Sequence, residues 1–228
     1  MTDDIRTALN GGWRKVEDIN FSLATGKIDE TGWYAAMEAL CIPKYLAANN
    51  PRAQSGHSGD QDEWERARSL LLDGINRDGT LLDIGCANGH LMETCQLWAR
   101  ERGLRIEPFG LDISRDIVGL AVRRLPHWKD RFWVANALEW EPPRRFDFVH
   151  LQNIDYVPEG RRRDLVLHLL TRVCAPNGRL IVGPFNELKS GPALENTFRN
   201  WGFEVAGQGQ PAHRHPEVEY RAFWVDAQ

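Results

Sequence analysis

Two short segments hold the residue types that chemistry at a bound ligand needs. The first is Leu82-Asp83-Ile84-Gly85-Cys86-Ala87-Asn88-Gly89-His90. Small residues at 85, 87 and 89 let a backbone turn sharply and approach a ligand closely. The second is Gly110-Leu111-Asp112-Ile113. It follows at the distance of one strand–helix–strand unit. A carboxylate at the end of a second strand can accept both hydroxyl protons of a ribose. Taken singly, the first segment is also an ordinary tight turn, and Asp112 is also a cap for the helix that begins near Ser114. A nicotinamide dinucleotide would need glycines as GxGxxG. Gly85, Ala87 and Gly89 instead follow GxAxG with no further glycine at the required place.

These residues need elements to position them. From Thr80 the pattern alternates between strand and helix. Strands are expected at Thr80–Ile84, Ile106–Leu111, Phe132–Val134, Phe146–Leu151 and Leu180–Val182. Helices are expected at His90–Arg102, Ser114–Arg124, Pro158–Cys174 and Ala193–Trp201. Pro176-Asn177-Gly178 is a turn signal. Two late strands, Phe203–Ala206 and Tyr220–Val225, have no helix between them and form an antiparallel hairpin at the sheet edge. The fold class is therefore α/β: a Rossmann-like, seven-stranded, mostly parallel sheet with a terminal antiparallel hairpin and helices on both faces.

The chain divides at about residue 57. Residues 1–57 lack a strand pattern and form an N-terminal helical extension. Asp29–Leu40 is a helix there, punctuated by Pro43 and Asn49-Asn50-Pro51. Residues 58–228 form the core, opened by a helix capped by Ser58 with Gln61 and running to about Leu72.

Composition excludes several classes. The 228 residues carry 28 basic and 32 acidic side chains, a net charge of −4, so the strong basic field of a non-specific nucleic-acid binder is missing. No apolar run is long enough to span a membrane. The acidic start, Met1-Thr2-Asp3-Asp4, has no apolar run behind it, so no secretory signal is expected. Cys41, Cys86, Cys95 and Cys174 form no CxxC pair. Zinc is not expected, and reduced thiols in a cytoplasmic protein are.

The turn at Asp83–Gly89, the carboxylate at Asp112 and the closing hairpin together resemble the class I S-adenosylmethionine-dependent methyltransferases, over about residues 58–228. The resemblance implies S-adenosyl-L-methionine as cofactor. It implies that Gly85, Ala87 and Gly89 shape the turn under the methionine part, and that Asp83 orients that loop or the amino group. Asp112 would bind the ribose hydroxyls, with Ile113 against the adenine. Asn136 and Ala137 stand where relatives carry an acidic residue and a small one, and an Asn carbonyl can still accept from the adenine amino group. Gln152, past the fourth strand, falls where relatives cradle the methionine moiety. The Asn/Asp-Pro-Pro-aromatic signature of amino-group methyltransferases acting on nucleobases is missing, so no DNA partner is expected.

The activity so implied is methyl transfer to O or N of a small organic molecule by in-line displacement. An RNA or protein methyltransferase, or a non-catalytic cofactor-binding regulator of the same fold, are the alternatives. Ligands in such sheets bind at the carboxyl ends of the strands. Candidate bases there are His57 in the Gly/Ser loop, Asp155 and Tyr156 after the fourth strand, and Glu187 after the fifth. Trp33, Tyr34, Met37 and Tyr45 are either an aromatic lid or simple core. Arg161-Arg162-Arg163 is either an anion contact or a solvated helix face. His213-Arg214-His215 lacks acidic or Cys partners nearby, so no metal is expected.

Overall fold

The structure is a computed structural model and describes residues 14–189, 193–209 and 215–228. Its strands are β1 (Gly79–Ile84), β2 (Ile106–Asp112), β3 (Phe132–Val134), β4 (Phe146–Leu151), β5 (Cys174–Leu188), β6 (Gly207–Gly209) and β7 (Val218–Asp226). They form one sheet in the order β3-β2-β1-β4-β5-β7-β6. The first five pair in parallel; β7 runs antiparallel to β5 and to β6. The order reverses at β1, where β2 lies on one side and β4 on the other. Open α/β sheets hold ligands at such a switch point.

Alternation along the strands builds two cores. Leu82, Ile84, Val149 and Leu151 pack on one face, with Leu165, Leu169 and Phe198. Leu81, Phe148 and Ile181 pack on the other, with Trp64, Leu71, Leu91 and Cys95. The helices on these faces are α3 (Gln61–Arg68), α4 (His90–Glu101), α5 (Arg115–Arg124), α6 (Arg162–His168) and α7 (Ala193–Asn200). Each large apolar side chain so buried stabilises the fold by about 1.5–3 kcal/mol. Two further helices, α1 (Arg14–Ala24) and α2 (Glu30–Ala47), precede them. Val16, Trp33 and Met37 make a small core between these two, and Trp33 Nε1 donates to Asn20 Oδ1 at 2.8 Å.

Several boundaries differ from the sequence expectation, each for a local reason. The last short strand is Gly207–Gly209, not Phe203–Ala206. The Phe203 N–H closes α7 by donating to the Phe198 carbonyl at 3.1 Å, so its ring serves the helix end. Pairing with β7 begins only where Ala206 N donates to Trp224 O at 2.9 Å. Helix α2 continues through Pro43 to Ala47, since an internal proline removes one helix hydrogen bond without forbidding the turn after it. The cap of α3 is Asp60, not Ser58: Asp60 Oδ1 accepts from Glu63 N at 2.9 Å. Beyond Arg68 the chain tightens into a 3-10 turn, Ser69–Gly74. Helix α6 is shorter than expected and widens into a π turn at Leu169–Val173. β5 begins at Cys174 and contains Asn177 at φ 59, so the Pro176-Asn177-Gly178 bend sits inside an irregular strand. His213 and Arg214 lie outside the described residues. Among the described residues no group of His, Cys, Asp and Glu could hold a metal ion.

Candidate functional site

The turn after β1 is stitched to the end of β2. Gly85 N and Cys86 N both donate to Leu111 O, at 2.8 and 3.1 Å. Ala87 N donates to Asp112 Oδ2 at 3.0 Å, and Ser114 N to Asp112 Oδ1 at 3.0 Å. Gly85 has φ +74, and a Cβ placed there would meet nothing within 4 Å. Its missing side chain leaves open space over the turn. Ala87 holds a left-handed φ of 47, uncommon for a residue with a Cβ.

A cavity of about 220 Å³ opens above this turn, at the carboxyl ends of β1, β2 and β4. Gly85, Ala87, Asp112, Ile113, Asn136, Ala137 and Gln152, seven of the nine positions expected to hold cofactor, line it. Asp112 is the acceptor-only group on that wall. Burial pushes its carboxyl up to about 6, against the pull of the Ser114 and Ala87 amides; the nearby charges of Asp83 and Glu38 add to the rise. Asn136 Oδ1 accepts from Leu138 N at 3.1 Å. Gln152 Nε2 donates to the Pro184 carbonyl, at the irregularity of β5 between Val182 and Phe185.

The other two lie outside the wall. Gly89, at φ +74, begins α4, where a side chain would run into Leu125 and Phe132. Asp83 is buried beside His150, its register partner on β4. Asp83 Oδ1 stands 2.6 Å from His150 Nδ1, and His150 Nε2 stands 2.7 Å from Gly183 O. A carbonyl only accepts, so Nε2 donates to it, and Nδ1 and the carboxylate share one proton. Asp83 thus ties β1 to β4 and, through His150, to β5.

Of the candidate bases Tyr156 lines the cavity, whereas Glu187, Asp155 and His57 are held elsewhere. Glu187 Oε1 accepts from Leu194 N at 3.0 Å, and Oε2 is 3.0 Å from Arg221 Nε. It joins α7 to the sheet, and burial raises its carboxyl. Asp155 pairs with Arg162 Nη2 at 3.0 Å and accepts from Asn153 Nδ2 at 2.9 Å. His57 lies edge-on to Trp64 with ring centroids 5.4 Å apart. Burial lowers its imidazole to about 4, with Arg68 and Arg52 adding to the effect.

Helix α2 forms the opposite wall. Tyr34, Met37, Glu38, Cys41 and Tyr45 recur at helical spacing and all face the cavity. Trp33, by contrast, is fully buried between α1 and α2. Arg161 pairs with Glu30 at 3.0 Å, fastening the start of α2 to the loop before α6. Arg68 and Tyr156 complete the lining, and burial raises the hydroxyls of Tyr45 and Tyr156, which share a hydrogen bond. Glu38 and Arg68 were not anticipated. Their signal was legible: each is a charged residue on an apolar stripe, Glu38 among Tyr34, Cys41 and Tyr45, and Arg68 among Trp64, Leu71 and Leu72.

Residues 57–218 match the family described as "Methyltransferase domain". No curated protein sequence matches the chain. Among solved structures, the chain is similar to the N-methyltransferase NodS of Bradyrhizobium japonicum, crystallised with S-adenosyl-L-homocysteine, at 16% identity and TM-score 0.59, over 82% of this chain and 97% of that one. It is also similar to the 1,6-didemethyltoxoflavin-N1-methyltransferase of Burkholderia thailandensis, at 14% identity and TM-score 0.64, over 88% and 91%. A third is the magnesium protoporphyrin IX methyltransferase of Synechocystis PCC 6803, at 17% identity and TM-score 0.58, over 88% and 98%. The chain belongs to the methyltransferase-domain family, in its class I S-adenosylmethionine-dependent fold. The residues present fit that cofactor: a carboxylate, the group that ribose hydroxyls require, ends β2 on the cavity wall, and open space lies over Gly85.

Proposed function

We propose, with family membership as the premise, that this protein transfers the methyl group of S-adenosylmethionine to an oxygen or nitrogen of a small organic molecule by in-line displacement. One observation carries the reading. A single cavity is lined both by the nucleoside-type residues Asp112, Ile113 and Asn136 and by the apolar and phenolic wall of Met37, Ile42, Tyr45 and Tyr156. Room for the acceptor thus adjoins room for the donor. We take residues 1–57 as the cover of this pocket, because α2 supplies the wall, and residues 58–228 as the cofactor-binding core.

The bound cofactor supplies a methyl group on a sulfonium, whose positive charge vanishes as the methyl departs. Asp112 accepts from the ribose hydroxyls, Ile113 and Ala137 flank the adenine, and Asn136 offers its carbonyl. The Asp83–His150 pair and the Gln152–Pro184 contact tie the ends of β1 and β4 to the irregular part of β5 around the turn. Holding two reactants in line supplies much of the rate, and an apolar wall keeps competing water out. The carboxylates on the lining are Glu38 and Asp112, and both belong to the nucleoside end. Tyr45 and Tyr156, raised by burial, stay protonated at neutral pH and donate or relay. The reading therefore assigns alignment and desolvation to the protein, with the acceptor entering as a free amine or an oxyanion. His57, Asp155 and Glu187 act structurally in this reading.

The test is transfer of label from radioactive S-adenosylmethionine into a cell extract by the purified chain, followed by fractionation. Label in the low-molecular-weight fraction supports the reading. Label confined to RNA or protein, or cofactor binding with no transfer to any fraction, overturns it.

A further inference from the structure

Asn88 belongs to the turn after β1, yet its side chain is fully buried and does not line the cavity. Its Oδ1 accepts from His90 N at 3.1 Å, at the start of α4. Its Nδ2 donates to Pro51 O at 2.8 Å, a partner 37 residues away, and lies 3.4 Å from Gln54 Oε1. These partners fix which way the amide points, because a backbone N–H only donates and a carbonyl only accepts. The short loop to His90 needs only the oxygen, which Asp would supply as well. The nitrogen serves the contact with Pro51.

Pro51 lies in the segment 48–57, which leads from α2 back to the core. The segment holds its own shape. Asn50 Oδ1 accepts from Ala53 N at 2.9 Å, Gln54 Nε2 donates to Ala48 O at 3.0 Å, and Ser55 Oγ donates to Arg52 O at 2.7 Å. Ser55 and Gly56 line the cavity. Gly56 has φ +84 and lies so close to Tyr45 that a Cβ on it would stand 2.6 Å from the phenol oxygen. The segment therefore sets where Tyr45, a phenol of the acceptor wall, stands. Arg52 ties it to the chain just beyond, donating to Gly59 O at 2.7 Å and to Gln61 Oε1 at 3.2 Å. Asn88 ties it to the cofactor turn. The neighbouring Ala87 lines the cavity and has its N–H on Asp112 at 3.0 Å. One run of backbone thus holds Asp112 on one side and, through Pro51 and Gly56, Tyr45 on the other.

We propose that Asn88 is a positioning residue for methyl transfer: its amide mounts the acceptor wall on the cofactor turn, so that donor and acceptor are located by the same piece of backbone. In-line displacement depends on such register, and a small misplacement far from the reacting atoms lowers the rate. Asn88 touches neither reactant and acts through the segment 48–57 on Tyr45. The inference rests on the methyl-transfer reading above and names what keeps the two halves of that cavity aligned.

The experiment uses the full chain, with S-adenosylmethionine varied and the low-molecular-weight fraction of a cell extract as acceptor. Asn88→Asp keeps the shape and the bond to His90 but turns an acceptor toward the Pro51 carbonyl. The expected result is a fall in kcat of about fivefold or more, the scale of one lost buried hydrogen bond. KM for S-adenosylmethionine and Kd for S-adenosylhomocysteine should change by less than about twofold, well under that scale. Hydrogen exchange at the amides of residues 52–57 gives a second reading that needs no acceptor. S-adenosylhomocysteine should slow exchange there in the unsubstituted protein and not in Asn88→Asp. A residue that only stabilises the fold would lower the melting temperature and leave both the kcat and the slowing intact. Asn88→Ser, which is neutral and too short to reach Pro51, repeats both readings and covers the case in which Asn88→Asp does not fold. Unchanged kcat, slowing retained in the variants, or a large loss of S-adenosylhomocysteine affinity in them overturns the proposal. If the unsubstituted protein binds S-adenosylhomocysteine but transfers no label, the methyl-transfer reading fails and the exchange measurement still decides whether Asn88 mounts the segment. Failure of the unsubstituted protein to bind S-adenosylhomocysteine at all would sink the cofactor reading, and the proposal with it.

Discussion

Asp112 makes cofactor affinity depend on pH in a window where an ordinary carboxylate would be silent. Its two oxygens already accept from the Ala87 and Ser114 amides, and burial holds its carboxyl near 6. If binding needs the ionised form, one required deprotonation weakens affinity by a factor of about 11 at pH 5 and only about 1.1 at pH 7. The same group at an ordinary value of 3.8 would give a factor of about 1.1 at pH 5. Calorimetric titration of S-adenosylhomocysteine between pH 7.5 and 5 reads this directly. Asp112→Asn is the control. It loses charge-assisted bonds to the ribose worth about 1.5–3 kcal/mol, or about 10–150-fold in affinity. It also turns a donating amide toward one of the two backbone N–H groups. Its affinity should therefore be low at pH 7.5 and flat down to pH 5. The sign for folding is opposite. Because the folded carboxyl is raised, its ionised form opposes folding above about pH 6, and that opposition fades as the pH falls toward 4. Weaker binding at pH 5 is thus no by-product of Asp112 melting the protein. A native profile flat to pH 5, or an Asp112→Asn profile that still slopes, refutes the reasoning.

Three substitutions and one pH series test other parts. Gly85→Val places a branched side chain in open space over the turn at φ +74. It should abolish S-adenosylhomocysteine binding and cost about 1–2 kcal/mol of strain. At this chain length a thermal melt should show that as a fall of about 2–8 °C, and retained binding would contradict the placement. His150→Ala leaves Asp83 buried without its partner and should destabilise by about 3–5 kcal/mol in urea. A loss under about 1 kcal/mol would mean that the pair is idle. Glu187→Gln should leave S-adenosylhomocysteine affinity unchanged while lowering stability by about 1–3 kcal/mol, because it mispairs Arg221. A selective loss of transfer with normal stability would return Glu187 to the chemistry. His57 is held down to about 4, so its unfolded form takes up protons first, and the stability it confers is lost as pH falls from about 6.5 through 4. His57→Phe should show a shallower fall of melting temperature between pH 7 and 5; an identical slope excludes the effect.

How much the sequence revealed depended on whether the signal was local. The turn at Gly85, the carboxylate at Asp112 and the parallel register come from contiguous patterns, and the cavity forms on them. Seven of the nine positions expected to hold cofactor meet on its wall. Asp83 and Gly89 sit one layer back. Their types suited a ligand, but a residue across the sheet, His150, and a packing neighbour, Leu125, occupy their surroundings. The catalytic candidates stand close to strand ends along the chain. Closeness along the chain does not reveal that Glu187 faces Arg221, or that Asp155 faces Arg162. Phe203 and Val205 had the apolar character of a strand and instead pack beside α7 on the core. Arg68 and Glu38 were visible as charges out of place on apolar stripes. That pattern marks a side chain whose partner is brought by another element or by a ligand.

The central claim is that the turn after β1 and the carboxylate at the end of β2 hold one nucleoside between them. A crystal structure with S-adenosylhomocysteine tests it most directly. The account predicts both ribose hydroxyls within hydrogen-bond reach of the Asp112 carboxylate, the homocysteine chain over Gly85, and the sulfur open toward Tyr156 and Arg68. A nucleoside bound elsewhere, or an Asp112 side chain turned out to solvent with the ligand present, would contradict it.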